Sequence, residues 1–129
     1  MNIYDKKNIL NFKGGHLEIA AHPDFDLKNQ ITIAALIKPQ GDPAIQNTVL
    51  SKDASAYQVK IQNNKLVFVR GNEYASKSNI LPDTWVHVAI SFDASAEKDN
   101  LKLYIDGSLD ASFNITEALG ITSSDLWIG

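Results

Sequence analysis

The side chains of this 129-residue chain that could do chemistry are its carboxylates, its three histidines and one tyrosine set among polar neighbours. Cleavage of a glycosidic bond takes two carboxylates about 5–10 Å apart. Only four glutamates occur, Glu18, Glu73, Glu97 and Glu117, and they are widely spread. In the string His16-Leu-Glu18-Ile-Ala-Ala-His22, two histidines bracket a glutamate. A helical zinc motif needs its histidines on one helix face, whereas this segment reads as a strand running into Pro23. Both histidines therefore read as surface residues. No Ser/His/Asp arrangement suggests a nucleophile, and no Gly-rich loop could cradle a phosphate. With no cysteine, disulfides and thiolate metal sites are excluded. The best local cluster for a sugar is Arg70, Asn72 and Tyr74, an aromatic plane beside hydrogen-bonding groups. A tyrosine packed against the core is the competing reading of that cluster.

These side chains must be held by strands, because the dominant apolar period is two. It runs through Leu17 and Ile19, then Ile31, Ile33, Ala35 and Ile37, then Tyr57, Val59 and Ile61. It continues through Val86, Val88, Ile90 and Phe92, and through Leu101, Leu103 and Ile105. β-Branched and aromatic residues fill these runs, as half-buried pleated surfaces favour. A first strand is expected at residues 9–12, linked by Gly14-Gly15 to the strand that begins at His16. Asn63-Asn64 and Asp106-Gly107 are two-residue hairpin loops, since both pairs tolerate positive φ. The first hairpin pairs Gln62 with Lys65, Ile61 with Leu66 and Val59 with Phe68. Its outward face, Gln58, Lys60, Gln62, Lys65, Val67 and Val69, is then either a solvated surface or a contact face for a flat partner. The second hairpin misaligns its apolar sets under strict pairing, so either a β-bulge shifts the register by one residue or both faces are covered; the bulge is the favoured reading. Residues 93–100 are polar and form an exposed tip, and only residues 115–119 could make a helical turn. Short strands at regular spacing with almost no helix imply an all-β, two-sheet antiparallel jelly-roll sandwich made of one domain, residues 1–129. Its expected core is Ile33, Ile37, Val59, Ile61, Phe68, Val88, Ile90, Leu101 and Leu103.

A hydrophobic content of 44% suits a folded globule. The net charge of −3 and the scattered basic residues argue against nucleic acid as a partner. No apolar run approaches the roughly 18–20 residues of a spanning helix, so membrane insertion is not expected. The N-terminal residues carry no apolar signal core. Asn114-Ile115-Thr116 matches the N-glycosylation pattern, which chance also produces.

Six strings in order resemble the laminin-G-like, concanavalin-A-like jelly-roll family of bacterial and phage type. They are Leu10-Asn-Phe-Lys-Gly-Gly15, Thr32-Ile-Ala-Ala-Leu-Ile-Lys-Pro39, Val49-Leu-Ser-Lys52, Trp85-Val-His-Val-Ala89, Leu101-Lys-Leu-Tyr-Ile-Asp-Gly107 and Leu126-Trp-Ile-Gly129. Leu36 stands where the family usually has Trp. The resemblance implies the sandwich fold and a lectin-like role, and it places Trp85 and Trp127 inside the sandwich. Hydrolases of this fold carry a Glu-x-Asp-x-Glu string, which is absent here. The implication is a non-catalytic binding or adhesion domain that recognises carbohydrate or a protein surface. A structural assembly protein, such as a virion decoration, tail or surface-layer component, is the alternative. No cofactor is expected. Calcium is the one metal the resemblance allows, with Asp24, Asp26, Asp53, Asp83 and Asp93 in loops, where solvated turn residues are the simpler reading.

The family normally continues past Ile-Gly with another strand. A homo-oligomer or larger assembly is therefore expected, with an exposed edge at residues 9–12 or 126–128 in the contact. Residues 2–7 folding over that edge would be the way to avoid it. The expected location is extracellular or at a virion surface.

Overall fold

The computed structural model describes residues 9–116 and 118–129, so the segment 2–7 lies outside the described residues. Ten strands form: β1 (Leu17–Ile19), β2 (Gln30–Ile37), β3 (Asn47–Ser51), β4 (Gln58–Gln62), β5 (Lys65–Arg70), β6 (Asn72–Ala75), β7 (Val86–Asp93), β8 (Leu101–Ile105), β9 (Ser108–Phe113) and β10 (Leu126–Ile128). A 3-10 turn, Pro23–Phe25, is the one helical element among the described residues. The strands make two antiparallel sheets, one of six strands ordered β1-β10-β3-β4-β5-β6 and one of four ordered β2-β7-β8-β9. This is the expected all-β sandwich.

The hairpins follow from their turn residues. Asn63 and Asn64 take φ of 50° and 60°, and the register is Gln62 with Lys65, Ile61 with Leu66 and Val59 with Phe68, as expected. Asp106 and Gly107 also turn with positive φ, and a register shift follows: Leu103 pairs with Ala111 but Tyr104 with Leu109. Asp110 is the extra residue of that bulge. It brings Ala111 onto the core face, where it is buried. The bulged Asp110 carboxylate accepts backbone hydrogen bonds from Lys77 (2.6 Å) and Ser78 (3.2 Å), tying β9 to the segment after β6.

The core is shared by both sheets: Tyr57, Val59, Ile61, Leu66 and Phe68 from the larger, and Val88, Ile90, Phe92, Leu101 and Leu103 from the smaller. Two expected core residues, Ile33 and Ile37, are only half-buried. Both belong to β2, the edge strand of the smaller sheet. Phe113 of β9 contacts Tyr74 of β6, so the smaller sheet starts level with one side of the larger and runs out at β2. The outermost strand of the larger sheet then overhangs, which leaves Leu17 48% and Ile19 38% exposed although they share the parity of buried Leu126.

Two further expectations are corrected. Residues 9–12 form no strand; instead Phe12 lies against Gly129, where an added Cβ would sit 2.4 Å from the ring. Residues 126–128 are not an edge, because β10 sits between β1 and β3.

Candidate functional site: the outward face of the six-stranded sheet

One cross-strand row runs through every strand of the larger sheet on its outward side: Glu18, Trp127, Ser51, Gln58, Val69 and Glu73. At about 4.8 Å per strand, this row is about 24 Å long. Trp127 is 45% exposed, between buried Leu126 and half-buried Ile128, so the strand alternation turns its indole away from the core. This corrects the expectation that Trp127 lies inside the sandwich. Trp85 is half-buried. His16 stacks on the indole with centroids 4.2 Å apart and planes 19° from parallel, and its Nε2 lies 3.6 Å from Glu18 Oε2. The stack fixes the indole in place, so little rotamer freedom remains to be lost when something binds it.

The position of Trp127 depends on the connection that carries the chain from β9 in one sheet to β10 in the other. That connection is fastened at several points. Asn100 accepts from the Ile115 amide (2.8 Å) and donates to its carbonyl (2.6 Å). Arg70 donates to the Ala118 carbonyl through Nε (3.0 Å) and Nη2 (2.7 Å). At Gly120 a Cβ would lie 2.3 Å from the Ser55 carbonyl oxygen, so only glycine permits that approach. Lys52, 1% exposed, donates from Nζ to the carbonyls of Thr122 (3.1 Å) and Ser124 (3.0 Å). Asp26 Oδ1 lies 3.3 Å from the same ammonium, yet it is buried without a hydrogen bond. The two attract as charges, with two of the three N–H donors spent on the carbonyls. Asp53, at φ 78°, accepts from Ser55 and Ala56 through Oδ1 and from Ser124 Oγ (2.6 Å) through Oδ2. Burial raises the Asp53 pKa, but the hydrogen bonds from Ser124, Ser55 and Ala56 outweigh it and hold the carboxyl well below the usual carboxylate range. Burial, followed by the Asp26 charge, pushes the Tyr57 hydroxyl upward; it donates to the Phe25 carbonyl (2.9 Å).

The expected contact face maps onto this side of the sheet but is less open than its sequence suggests. Val67 and Val69 are each 4% exposed, and Lys60 is buried as well. Lys60 stands opposite Val67, with its ammonium bonded to Glu73 Oε1 and, at 3.2 Å, to Gln46 Oε1. Its alkyl stem thus lies among the valines while its charge is neutralised. Gln58, Gln62 and Lys65 remain half-buried. Lys65 donates to the Lys77 carbonyl, whereas the side-chain amide of Gln58 has no hydrogen-bond partner among the described residues.

Arg70, Asn72 and Tyr74 meet around one tight turn, with Arg70 paired to Asn72 across Gly71 at φ 68°. The three do not share one open surface. Tyr74 is half-buried and packs on Phe113 (5.4 Å), and the Arg70 guanidinium is spent on Ala118; Asn72 is exposed. Of the loop aspartates, Asp26 and Asp53 converge on the Lys52 region. Among the described residues no group of three or more His, Asp or Glu side chains is placed to hold a metal ion.

Three features were missed by the sequence reading: the outward Trp127, its stack on His16 and the buried Lys52. The alternation Leu126-Trp127-Ile128 carried the signal for the first. Nothing local signalled the other two, which depend on pairing between distant strands.

The family model described as "Concanavalin A-like lectin/glucanases superfamily" matches residues 12–129. Among solved structures, that of a "putative carbohydrate binding protein" from Bacteroides ovatus superposes with a TM-score of 0.75 at 20% sequence identity. The alignment covers 90% of this chain and 35% of that one, so the chain spans about a third of that protein. A search of curated proteins found no match.

Proposed function

The chain belongs to the concanavalin A-like lectin/glucanase superfamily, and from that premise we propose that it is a non-catalytic carbohydrate-binding domain that reads glycans on the outward face of its larger sheet. The observation that carries this reading is the half-exposed, stacked indole of Trp127, flanked across the sheet by Glu18 on one side and by Ser51 and Gln58 on the other. A sugar ring presents an apolar C–H face to an aromatic plane and a rim of hydroxyls to hydrogen-bonding groups. Trp127 supplies the plane, and the Gln58 amide and Ser51 hydroxyl supply the hydrogen bonds two strands and one strand away. The absence of a Glu-x-Asp-x-Glu string is why binding without hydrolysis is proposed. The partner is then a glycan, and the place of action an extracellular or virion surface. The cluster Arg70, Asn72 and Tyr74 is a weaker location, since its ring and its guanidinium already have structural partners. No observation favours the assembly reading over this one.

A glycan array probed with the parent chain and with Trp127→Ala tests the proposal. Binding by the parent and a loss of at least about tenfold, roughly 1.4 kcal/mol, in the variant are expected. Thermal stability should change by no more than about 1 kcal/mol, because the ring is half outside the fold. Equal binding by the two proteins, or hydrolysis of a bound glycan that a single Asp or Glu substitution abolishes, would count against it.

A further inference from the structure

The four-stranded sheet also has an outward face, and it carries a depression of its own. The register aligns Thr32, Ser91, Lys102 and Ser112 in one row across β2, β7, β8 and β9. Residues 94–100 stand beside this row as a wall. They are held by hydrogen bonds from the Ala94 amide to the Asn29 carbonyl (2.7 Å), from the Asp93 amide to the Asn100 carbonyl (2.9 Å) and from Ser112 Oγ to Asp99 Oδ1 (3.0 Å). Wall and sheet enclose a cleft of about 490 Å³ whose lining includes Gln30, Thr32, Ser91, Asp93, Asp99 and Lys102. That volume falls within the roughly 300–1,000 Å³ of small-molecule sites.

The neighbouring row on the same face is Ala34, Ala89, Tyr104 and Leu109. Two alanines on adjacent strands leave the side of Tyr104 toward β2 free of bulk. Neither the Tyr104 hydroxyl nor the Lys102 ammonium has a hydrogen-bond partner among the described residues. The core beneath is complete without these groups, since Ile90, Phe92, Leu101 and Leu103 are buried on the opposite face of the same strands.

We propose that this cleft is a second saccharide site, taking one neutral or amino sugar unit, with Tyr104, one row along the same face from Lys102 and outside the cleft lining, as an adjoining aromatic surface. A sugar hydroxyl both donates and accepts. The cleft answers with the Oδ2 atoms of Asp93 and Asp99 as acceptors, since Asp93 Oδ1 already accepts from Ser95 and Asp99 Oδ1 from Ser112, with an ammonium that donates, and with the Thr32 and Ser91 hydroxyls that do either. Two carboxylates against one ammonium also disfavour phosphorylated or sulfated ligands. The cleft shares with the proposed function its ligand class and uses none of its residues. Because the two sites lie on the outward faces of opposed sheets, one glycan unit cannot occupy both. A single domain would hold two glycan chains at once and cross-link them.

Amide NMR titration of the isotope-labelled chain with glucose, galactose, mannose, N-acetylglucosamine and glucosamine tests this. At least one sugar is expected to shift the amides of Thr32, Ser91 and Lys102, and to do so equally in Trp127→Ala. Lys102→Ala and Thr32→Val, both outward-facing changes, should weaken that response by about tenfold while leaving shifts around Trp127 intact. No cleft response to any of the five sugars overturns the proposal, whether or not the Trp127 region responds. A response confined to the Trp127 region leaves the proposed function standing and removes this site. A response confined to the cleft does the reverse.

Discussion

At the scale of single residues, the decisive group is the ammonium of Lys52, a buried cation that holds the connection leading into β10 and Trp127. Two of its donors go to the Thr122 and Ser124 carbonyls, and its charge faces Asp26. Replacing it with methionine keeps the stem but leaves two carbonyls and a carboxylate without their partner. Lys52→Met should destabilise the fold by about 3 kcal/mol, the low end for a broken buried pair, because the Asp26 side chain remains 23% exposed. Chemical denaturation of Lys52→Met and of Lys52→Met/Asp26→Leu checks this. The double variant should recover part of the loss, and equal stability of the two would remove Asp26 from the account. Asp53 acts on the same loop through acid. Its pKa is depressed in the fold, so the stability it contributes is complete above the unfolded value and is lost as pH falls below about 3.8 toward the lower folded value. Asp53→Asn should be less stable than the parent at neutral pH and should lose less of its remaining stability on acidification. Parallel pH titrations of the melting temperature in which the two slopes match below pH 4 would count against that linkage.

At the scale of elements, β7 and β2 are paired along eight residues, yet the structure treats them unequally. β7 lies between β2 and β8, and Ile90 is 1% exposed. β2 is the last strand of its sheet, and Ile33, directly opposite Ile90, is half-buried. The two isoleucines have the same size and register, so truncation measures position in the sheet alone. Ile90→Ala should cost about 2–5 kcal/mol, as a fully buried aliphatic does, and Ile33→Ala visibly less. Urea midpoints at constant m-value would show it. Equal losses would mean that β2 is as well covered as β7.

At the scale of the molecule, a sandwich must protect its outer strands, and here the protection is uneven. β1 has three residues, β6 carries Glu73, and β9 is kinked by its bulge, all devices that discourage strand addition. β2 has eight residues with no charge, proline or bulge before Lys38-Pro39. Assembly of this chain through strand pairing, expected from the sequence, would therefore use β2 rather than residues 9–12 or 126–128. Light scattering at micromolar concentration checks this: any mass above the monomer in the parent should fall to the monomer mass in Ala34→Lys, which puts a charge in mid-edge. A monomer in both cases removes the expectation of self-assembly.

The sequence by itself determined the strands, the hairpins and the fold class, because these rest on local chemistry: alternation of apolar residues, and turn residues that tolerate positive φ. Even a bulge in the Asp106-Gly107 hairpin was legible as the favoured reading, from two apolar sets that strict pairing would have put on opposite faces; its place at Asp110 came from the structure. The sequence also carried enough of the family pattern to imply a lectin-like domain. The tertiary structure alone decided which strands lie inside a sheet and which at its edge, and that choice reset the value of individual residues. It made β10 interior, left Ile33 half-covered, buried Val67, Val69 and Lys60, and turned Trp127 outward onto His16. These outcomes depend on pairing between segments far apart in the chain, such as Glu18 with Trp127 or Ser51 with Gln58 across a loop fastened by Lys52. Local periodicity tells which residues share a face of one strand. It carries no information about what the neighbouring strand places beside them, and both proposed recognition surfaces are built from those neighbours.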